Sequence, residues 1–395
     1  MILPGVSSIF DDVIAGPPGI FYLQIGFGPR IVPANEALIW IDRAMDVVTA
    51  GGLQAAYDPI PDADAARLLA NRYGVTGHLK RLATEKDDTF HVTADGAQYV
   101  LKIANGSEDP GEISLQNDLL QHIERVDPSL PVPRILSDVA GNVACNHMAN
   151  DGSARIARLL TFLPGTPLDR TNSNARERVE IGKLCARLRK ATAGFSHPAE
   201  NRLLAWDIKH LGGLHPLLDE IADPDQHAKL KDGMERFLTI ADKIPHLRMQ
   251  VLHNDFSKSN LIVDHDRPEF VTGIIDFGDT VKTAIAIDLS TALLNQLPQT
   301  ASDAMFDAPM DVLRGYLDHA DITGEELALL PHLVLGRIVA RALISITRAQ
   351  RFPDNSVYIL RNTAQGWHQL DWFLARSFDT ITDTFSAFQN RATQP

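Results

Sequence analysis

Residues 251–280 read VLHNDFSKSNLIVDHDRPEFVTGIIDFGDT, and polar residues interrupt two apolar runs at fixed places. His253, Asn254 and Asp255 follow Val251 and Leu252. Asn260 comes five residues after Asp255, and Asp276-Phe277-Gly278-Asp279 begins sixteen residues later. A carboxylate that orients an attacking hydroxyl and takes its proton, with hard oxygen ligands that hold Mg²⁺ against phosphates, is the set that phosphoryl transfer from a nucleotide needs. Asp255 suits the first role. Asn260 and Asp276 suit the second, because an amide oxygen and a carboxylate can share a metal that keeps several waters. Asp279 would add charge nearby. Asp and Asn also make ordinary surface turns, and Asp-Phe-Gly alone is weak. The joint spacing carries the reading.

These residues need elements to hold them. Two short β-branched runs, 261–263 and 271–275, flank a turn rich in Asp, Arg and Pro, which predicts a β-hairpin. That hairpin would hold Asn260 at one end and Asp276 at the other. A helix over 62–73, capped by Asp62 or Asp64, would bury Ala65, Leu68, Leu69 and Tyr73 on one face and end at Gly74. Strands follow over 77–82, 90–93 and 98–104, the last two joined by an Asp95-Gly96 hairpin turn. Lys102 lies inside the apolar run Tyr99-Val100-Leu101-Lys102-Ile103, where charge is costly unless paired. An edge-strand lysine that guards against aggregation would look the same.

Further along, a helix is expected over 113–123 and a strand over 155–162. From Thr171 onward the pattern is helical, with helices over 179–191, 226–244, 311–319, 324–350 (with a break near Pro331) and 357–378. Residues 1–61 are turn-rich, apart from a helical period over 36–50 that Asn35 could cap. Gly26-Phe27-Gly28 there lacks the context of a phosphate loop.

Composition bounds the rest. The 395 residues suffice for a large core and two lobes. Hydrophobic content of 45% and charged content of 22% fit a globular protein. No run of about 18 apolar residues is seen, so no membrane span is expected. No signal peptide is visible, and the two cysteines, Cys145 and Cys185, point to a reducing, cytoplasmic setting. The formal net charge of −13, without a basic patch, argues against nucleic acid and favours cationic small molecules such as amines.

The 251–280 stretch resembles the aminoglycoside phosphotransferase and choline kinase superfamily, small-molecule relatives of protein kinases. Their usual pattern is H-G-D-x-x-x-x-N followed by I-D-F/W-x-D. This chain has Asn254 where Gly is usual, and Asn tolerates left-handed backbone well. Five strings narrow the resemblance to the hydroxylysine kinase branch: Val100 to Asn105, Leu115-Gln116-Asn117, Arg158 to Gly165, Ile274 to Asp279, and Gly366-Trp367.

The resemblance, over roughly residues 62–378, implies an α+β, bilobal, protein-kinase-like fold. Its small N-lobe has an antiparallel sheet and a helix, and its larger C-lobe is mainly helical. Residues 1–61 would be an extension, 62–165 the N-lobe with nucleotide loop and hinge, and 166–395 the C-lobe. Lys102 takes the place of the strand lysine on the nucleotide phosphates. Thr84, in the loop 84–89, would reach the phosphates with backbone N–H groups. Gln116 takes the position of the helix glutamate that pairs with the lysine, with Glu112 as the alternative partner. Backbone around Leu160 to Phe162 would meet the purine edge. His253 and Asp288 would support the catalytic loop, although Asp288 would equally serve as a helix N-cap.

The implied activity is Mg²⁺-dependent transfer of the γ-phosphate of ATP or GTP to a hydroxyl of an amino acid or amino alcohol, a hydroxylysine-like substrate being favoured. A kinase for homoserine, ethanolamine, choline or an aminoglycoside is the alternative, as is a nucleotide-binding pseudokinase. For the substrate, Arg341, in an apolar helical run, would read a carboxylate. Trp206 and Asp207 would receive an ammonium. An internal salt bridge at Arg341 and simple packing of Trp206 are the structural alternatives.

Overall fold

The computed structural model describes residues 13–15, 20–24, 29–33, 47, 59–82, 84, 87–149, 152–300, 302, 304–353 and 356–392. Strands β1 (Val13–Ala15), β2 (Ile20–Gln24) and β3 (Pro29–Pro33) form a separate antiparallel sheet. The helix expected over 36–50 lies outside the described residues, Val47 excepted. Val47 is buried with the main core.

Helix α1 (Asp62–Tyr73) has Pro61 at its N-cap, not Asp62 or Asp64. Both aspartates sit in the first turn, where the helix dipole favours acids. The predicted face is the buried one: Ala65, Leu68, Leu69 and Tyr73 pack on the N-lobe sheet. Gly74 ends the helix at φ 66°, the left-handed conformation that glycine adopts freely. The small core also takes in Ile60, whose N–H donates to Asp88 at 3.1 Å. The N-lobe therefore starts before residue 62.

Strands β4 (His78–Arg81), β5 (Asp88–Ala94), β6 (Ala97–Ile103), β7 (Ile135–Leu136), β8 (Cys145–Met148) and β9 (Ala154–Thr161) form one antiparallel sheet in the order β4-β5-β6-β9-β7, with β8 also on β9. Asp95 and Gly96, at φ 49° and 78°, make the two-residue turn between β5 and β6. Helix α2 (Pro110–Val126), capped by Asp109, packs beside this sheet. Its Leu115 and Leu119 join the larger core of the C-lobe and so tie the lobes together.

The C-lobe is mostly helical. Helices α3 (Ala175–Ala191), α4 (Pro224–Leu238), α5 (Ile285–Leu294), α6 (Asp307–Leu317), α7 (Gly324–Arg351), α8 (Ser356–Ile359), α9 (Thr363–Leu374) and α10 (Phe378–Ala392) surround Phe237, Phe256, Tyr316, Phe373 and Phe385, all buried. The single helix expected over 357–378 is instead three pieces, α8, a 3₁₀ turn and α9. Conversely, α7 runs unbroken through Pro331. A capping box of Thr323 and Glu326 fixes its start, and Leu330, Leu333 and Val334, all fully buried, hold it on both sides of the proline. An 18-residue window of α7 is long and apolar enough to cross a membrane, but 89% of it is buried inside the protein. Against these helices lie the short strands β10 (Thr166–Pro167), β11 (Met249–Leu252), β12 (Leu261–Val263), β13 (Val271–Ile274) and β14 (Val281–Ala284).

Helices α3 and α6 cross at two facing glycines. A Cβ on Gly182 would stand 1.9 Å from the Val312 carbonyl oxygen, and one on Gly315 would stand 1.9 Å from that of Val179. Backbone cannot yield as a side chain can. Gly315→Ala is expected to lower the unfolding free energy by about 1–3 kcal/mol or more, read from denaturant titrations. An unchanged midpoint would show that the crossing is looser than its geometry.

Candidate active site

Strand β11 delivers the 253–260 loop, and the β12–β13 hairpin delivers Asp276. The hairpin pairs Leu261 with Ile274, and Ile275 N–H donates to the Asn260 carbonyl at 2.9 Å. Asn260 and Asp276 therefore lie together at the open end of the hairpin, not at opposite ends. The antiparallel register makes this unavoidable.

Three described non-glycine residues have positive φ, and two are here: Asn254 at 62° and Asp276 at 60°. Such backbone persists only where its surroundings hold it. His253 accepts from Asp255 N–H at 3.2 Å through Nδ1, and its Nε2 donates to the Ile275 carbonyl at 3.0 Å. One buried ring thus joins the loop to the hairpin, with its edge packed on Phe277. Asn254 N–H donates to Asp288 Oδ1 at 2.7 Å. Asp288 lies in the first turn of α5 and is not its N-cap, which is Ala284. Burial pushes the Asp288 carboxyl up.

Asp255 Oδ2 accepts from Asn260 Nδ2 at 2.6 Å. That bond uses the amide nitrogen and leaves the Asn260 Oδ1 oxygen as an acceptor with no hydrogen bond seen among the described residues. Burial and the charge of Asp279 push Asp255 up to about 6. Asp276 moves the other way, to about 2, chiefly because of Lys102. Lys102 Nζ stands 3.4 Å from Asp276 Oδ1 and 3.9 Å from Asp87 Oδ2. Two nearby carboxylates with opposite shifts suit different tasks. Among the described residues no cluster of three or more His, Cys, Asp or Glu forms a closed metal cage. Asn260 Oδ1 with a half-exposed Asp276 instead fits an open site of one carboxylate, one amide oxygen and non-protein ligands, the pattern Mg²⁺ prefers.

Several expected residues are placed differently. Gln116 does not meet Lys102. Its Oε1 accepts from Arg158, as does Asn117 Oδ1 at 3.0 Å. Glu112 pairs with Arg202 at 3.2 Å. The Thr84 hydroxyl donates to the Asp87 carbonyl within its own loop, while Ala83, Glu85 and Lys86 lie outside the described residues. Leu160 is laddered on both sides, to Val100 and Ile135, and Phe162 N–H donates to the Gln98 carbonyl at 3.3 Å. The next donor along the chain is Leu163. Asp207 is fully buried; it caps a 3₁₀ helix and bonds Lys209 and Thr283, so it cannot receive an ammonium from the cleft. Trp206 packs against the core.

Among the described residues Arg341 has no salt bridge. It donates to Gln369 Oε1 at 2.7 Å and lies against Gly366, and burial brings its pKa down to about 10. One turn earlier is Arg337, which the sequence reading passed over. Its guanidinium donates to the Asn254 side chain and to the Trp206 carbonyl, the latter at 2.7 Å. Its signal was the same as that of Arg341, an arginine in an apolar helical run.

The profile described as the phosphotransferase enzyme family matches residues 78–330, well over half of the sequence. The chain belongs to this family. It is a phosphotransferase with the protein-kinase-like fold. Hydroxylysine kinase of Mus musculus is 24% identical over 345 residues, covering 80% of this chain and 90% of that protein. A microcompartment-associated aminopropanol kinase superposes with a TM-score of 0.65 at 19% identity, over 80% of this phosphotransferase and 98% of that chain. An amicoumacin kinase in complex with AMP-PNP, Ca²⁺ and amicoumacin superposes with a TM-score of 0.57 at 17% identity, over 84% and 95%.

Asn254 thus replaces the usual glycine with a side chain that Arg337 holds. Asn254→Ala keeps the positive φ but loses that bond, and should cost about 1–3 kcal/mol of stability. Asn254→Gly should cost less, because glycine adopts this backbone without strain. Paired denaturation curves in which the glycine variant is the weaker would contradict this account.

Proposed function

We propose that the protein is a kinase that transfers the γ-phosphate of ATP or GTP to a hydroxyl of an amino acid or amino alcohol, with a hydroxylysine-like substrate favoured. The observation that carries this is the meeting of Asp255, Asn260, Asp276 and Lys102 at one point between the lobes. The N-lobe sheet contributes the lysine, and the C-lobe contributes the other three. The mouse hydroxylysine kinase and the aminopropanol kinase support an amine-bearing alcohol as acceptor, and the amicoumacin kinase complex supports a nucleotide with a divalent cation.

The geometry supports the following roles. Asp255 orients the acceptor hydroxyl and takes its proton, which its raised pKa favours. The hydroxyl oxygen forms a bond to the γ-phosphorus as the bond from that phosphorus to the bridging oxygen breaks, and the nucleoside diphosphate leaves. Asn260 Oδ1 and Asp276 would hold Mg²⁺, which would neutralise charge on the phosphates. Lys102 moves from Asp276 to the phosphates. Asp255→Ala should lower kcat by about 10²–10⁴-fold with little loss of nucleotide affinity. Full activity in that variant would refute the assignment.

Arg341 is proposed for the substrate carboxylate. A half-buried guanidinium bonded to one neutral amide, with no anion paired to it among the described residues, is open to one from a ligand, and its fork geometry matches a carboxylate. In assays with an amino acid and its decarboxylated amine, Arg341→Met should penalise the amino acid by about tenfold or more, the worth of a charge-assisted hydrogen bond, and the amine far less. Equal losses would mark a structural arginine.

A further inference from the structure

Arg158 is a second buried cation that the phosphoryl-transfer site has not used. It stands on β9 directly opposite Lys102 on β6. Residues so paired project from the same face of a sheet with their Cβ atoms about 5 Å apart. Arg158 is only 6% exposed. Its guanidinium bonds Asn117 Oδ1 and Gln116 Oε1, both neutral, and among the described residues no acid forms an ion pair with it. Burying a charge without an opposite one is strongly unfavourable. Burial accordingly holds its pKa below the usual guanidinium range.

The acids that act on Arg158 from farther away are Asp87, Glu108 and Asp276. Asp87 and Asp276 are also the partners of Lys102. Two cations thus share two carboxylates beside the cleft. On the reading above, Asp276 is drawn to the metal, which leaves the pair of cations with surplus positive charge. The acids of α2 are engaged elsewhere, Asp118 with His197 and Glu124 with Arg134. Glu112 is held by Arg202, and the residue that does face Arg158 is an amide, Gln116. The amides fix the guanidinium in place without neutralising it.

We propose that Arg158 is a second determinant of phosphate binding, a fixed positive charge behind Lys102 that selects nucleoside triphosphates, and that Gln116 is an amide so that this charge is kept. The proposal rests on the nucleotide-kinase reading. Arg158 is a positioning and electrostatic residue, because it reaches the phosphates through the field it shares with Lys102.

The test is calorimetric titration of the full chain with ATP, GTP, adenosine and guanosine in Mg²⁺ buffer. Wild type, Arg158→Met and Gln116→Glu are compared, together with their melting temperatures. Arg158→Met should weaken the triphosphate about 10–100-fold, the scale of a charge-assisted interaction, and leave the nucleoside unchanged. Gln116→Glu places a carboxylate on Arg158. It should weaken the triphosphate in the same direction while raising the melting temperature, which separates lost charge from misfolding. If both variants bind the triphosphate as wild type does, the role of Arg158 is overturned. Equal loss of triphosphate and nucleoside in Arg158→Met also overturns it, since that marks a packing residue. A wild-type chain that binds neither triphosphate overturns the kinase reading beneath it.

Discussion

The left-handed turn at Asn254 is the constraint from which the site hangs. A chain leaving β11 in an ordinary conformation would carry Asp255 away from the hairpin, and Asn260 with it. Three contacts from three separate elements hold the turn: Asp288 of α5 on the Asn254 N–H, Arg337 of α7 on its side chain, and His253 bridging to Ile275. Each is buried, so water competes with none of them. The helices of the C-lobe are thereby coupled to the position of one carboxylate. The close α3–α6 crossing and the long buried α7 give those contacts a rigid base.

Charge is arranged around the same point in layers. Asp255, Asp276, Asp279 and Asp288 gather near one another, and four carboxylates so close would repel. Lys102 meets Asp276 across the lobes, and Arg337 lies among Asp207, Asp255, Asp279 and Asp288 without a direct ion pair. Arg158 and Arg341 differ from these two. Arg158 is buried and Arg341 half-buried, and each is bonded to neutral amides. Cations of the first kind balance the site's own acids, and cations of the second kind are the ones proposed above to meet anions that a substrate brings.

The glutamine at position 116 shows how a departure from a pattern is absorbed. In the usual arrangement a helix glutamate pairs with the strand lysine. Here the helix offers amides, and a strand arginine has taken them. Lys102, without a helix partner, pairs with Asp276 of the other lobe instead. The contact across the cleft accompanies the exchange on α2.

Much of this was legible in the residues. Spacing along one strand-turn-strand segment is local, so Asp255, Asn260 and Asp276 could be named from the chain alone, as could Lys102 by its cost in an apolar strand. The buried face of α1 and the β5–β6 turn were equally plain, because period and turn chemistry are local too. What the chain could not say was who pairs with whom. Arg158 and Lys102 are 56 positions apart in sequence, Arg337 and Asn254 are 83 apart, and Arg337 and Arg341 look alike in a helical run. Only the sheet register put Arg158 opposite Lys102, and only the packing of α7 on the loop gave Asn254 to Arg337 and left Arg341 free of acids. Asp207 read as an acceptor for a substrate ammonium and is fully buried for the same reason. Residue type and spacing determine which chemistry a chain can offer, whereas partnership and burial depend on contacts between distant segments, and those exist only once the chain has folded.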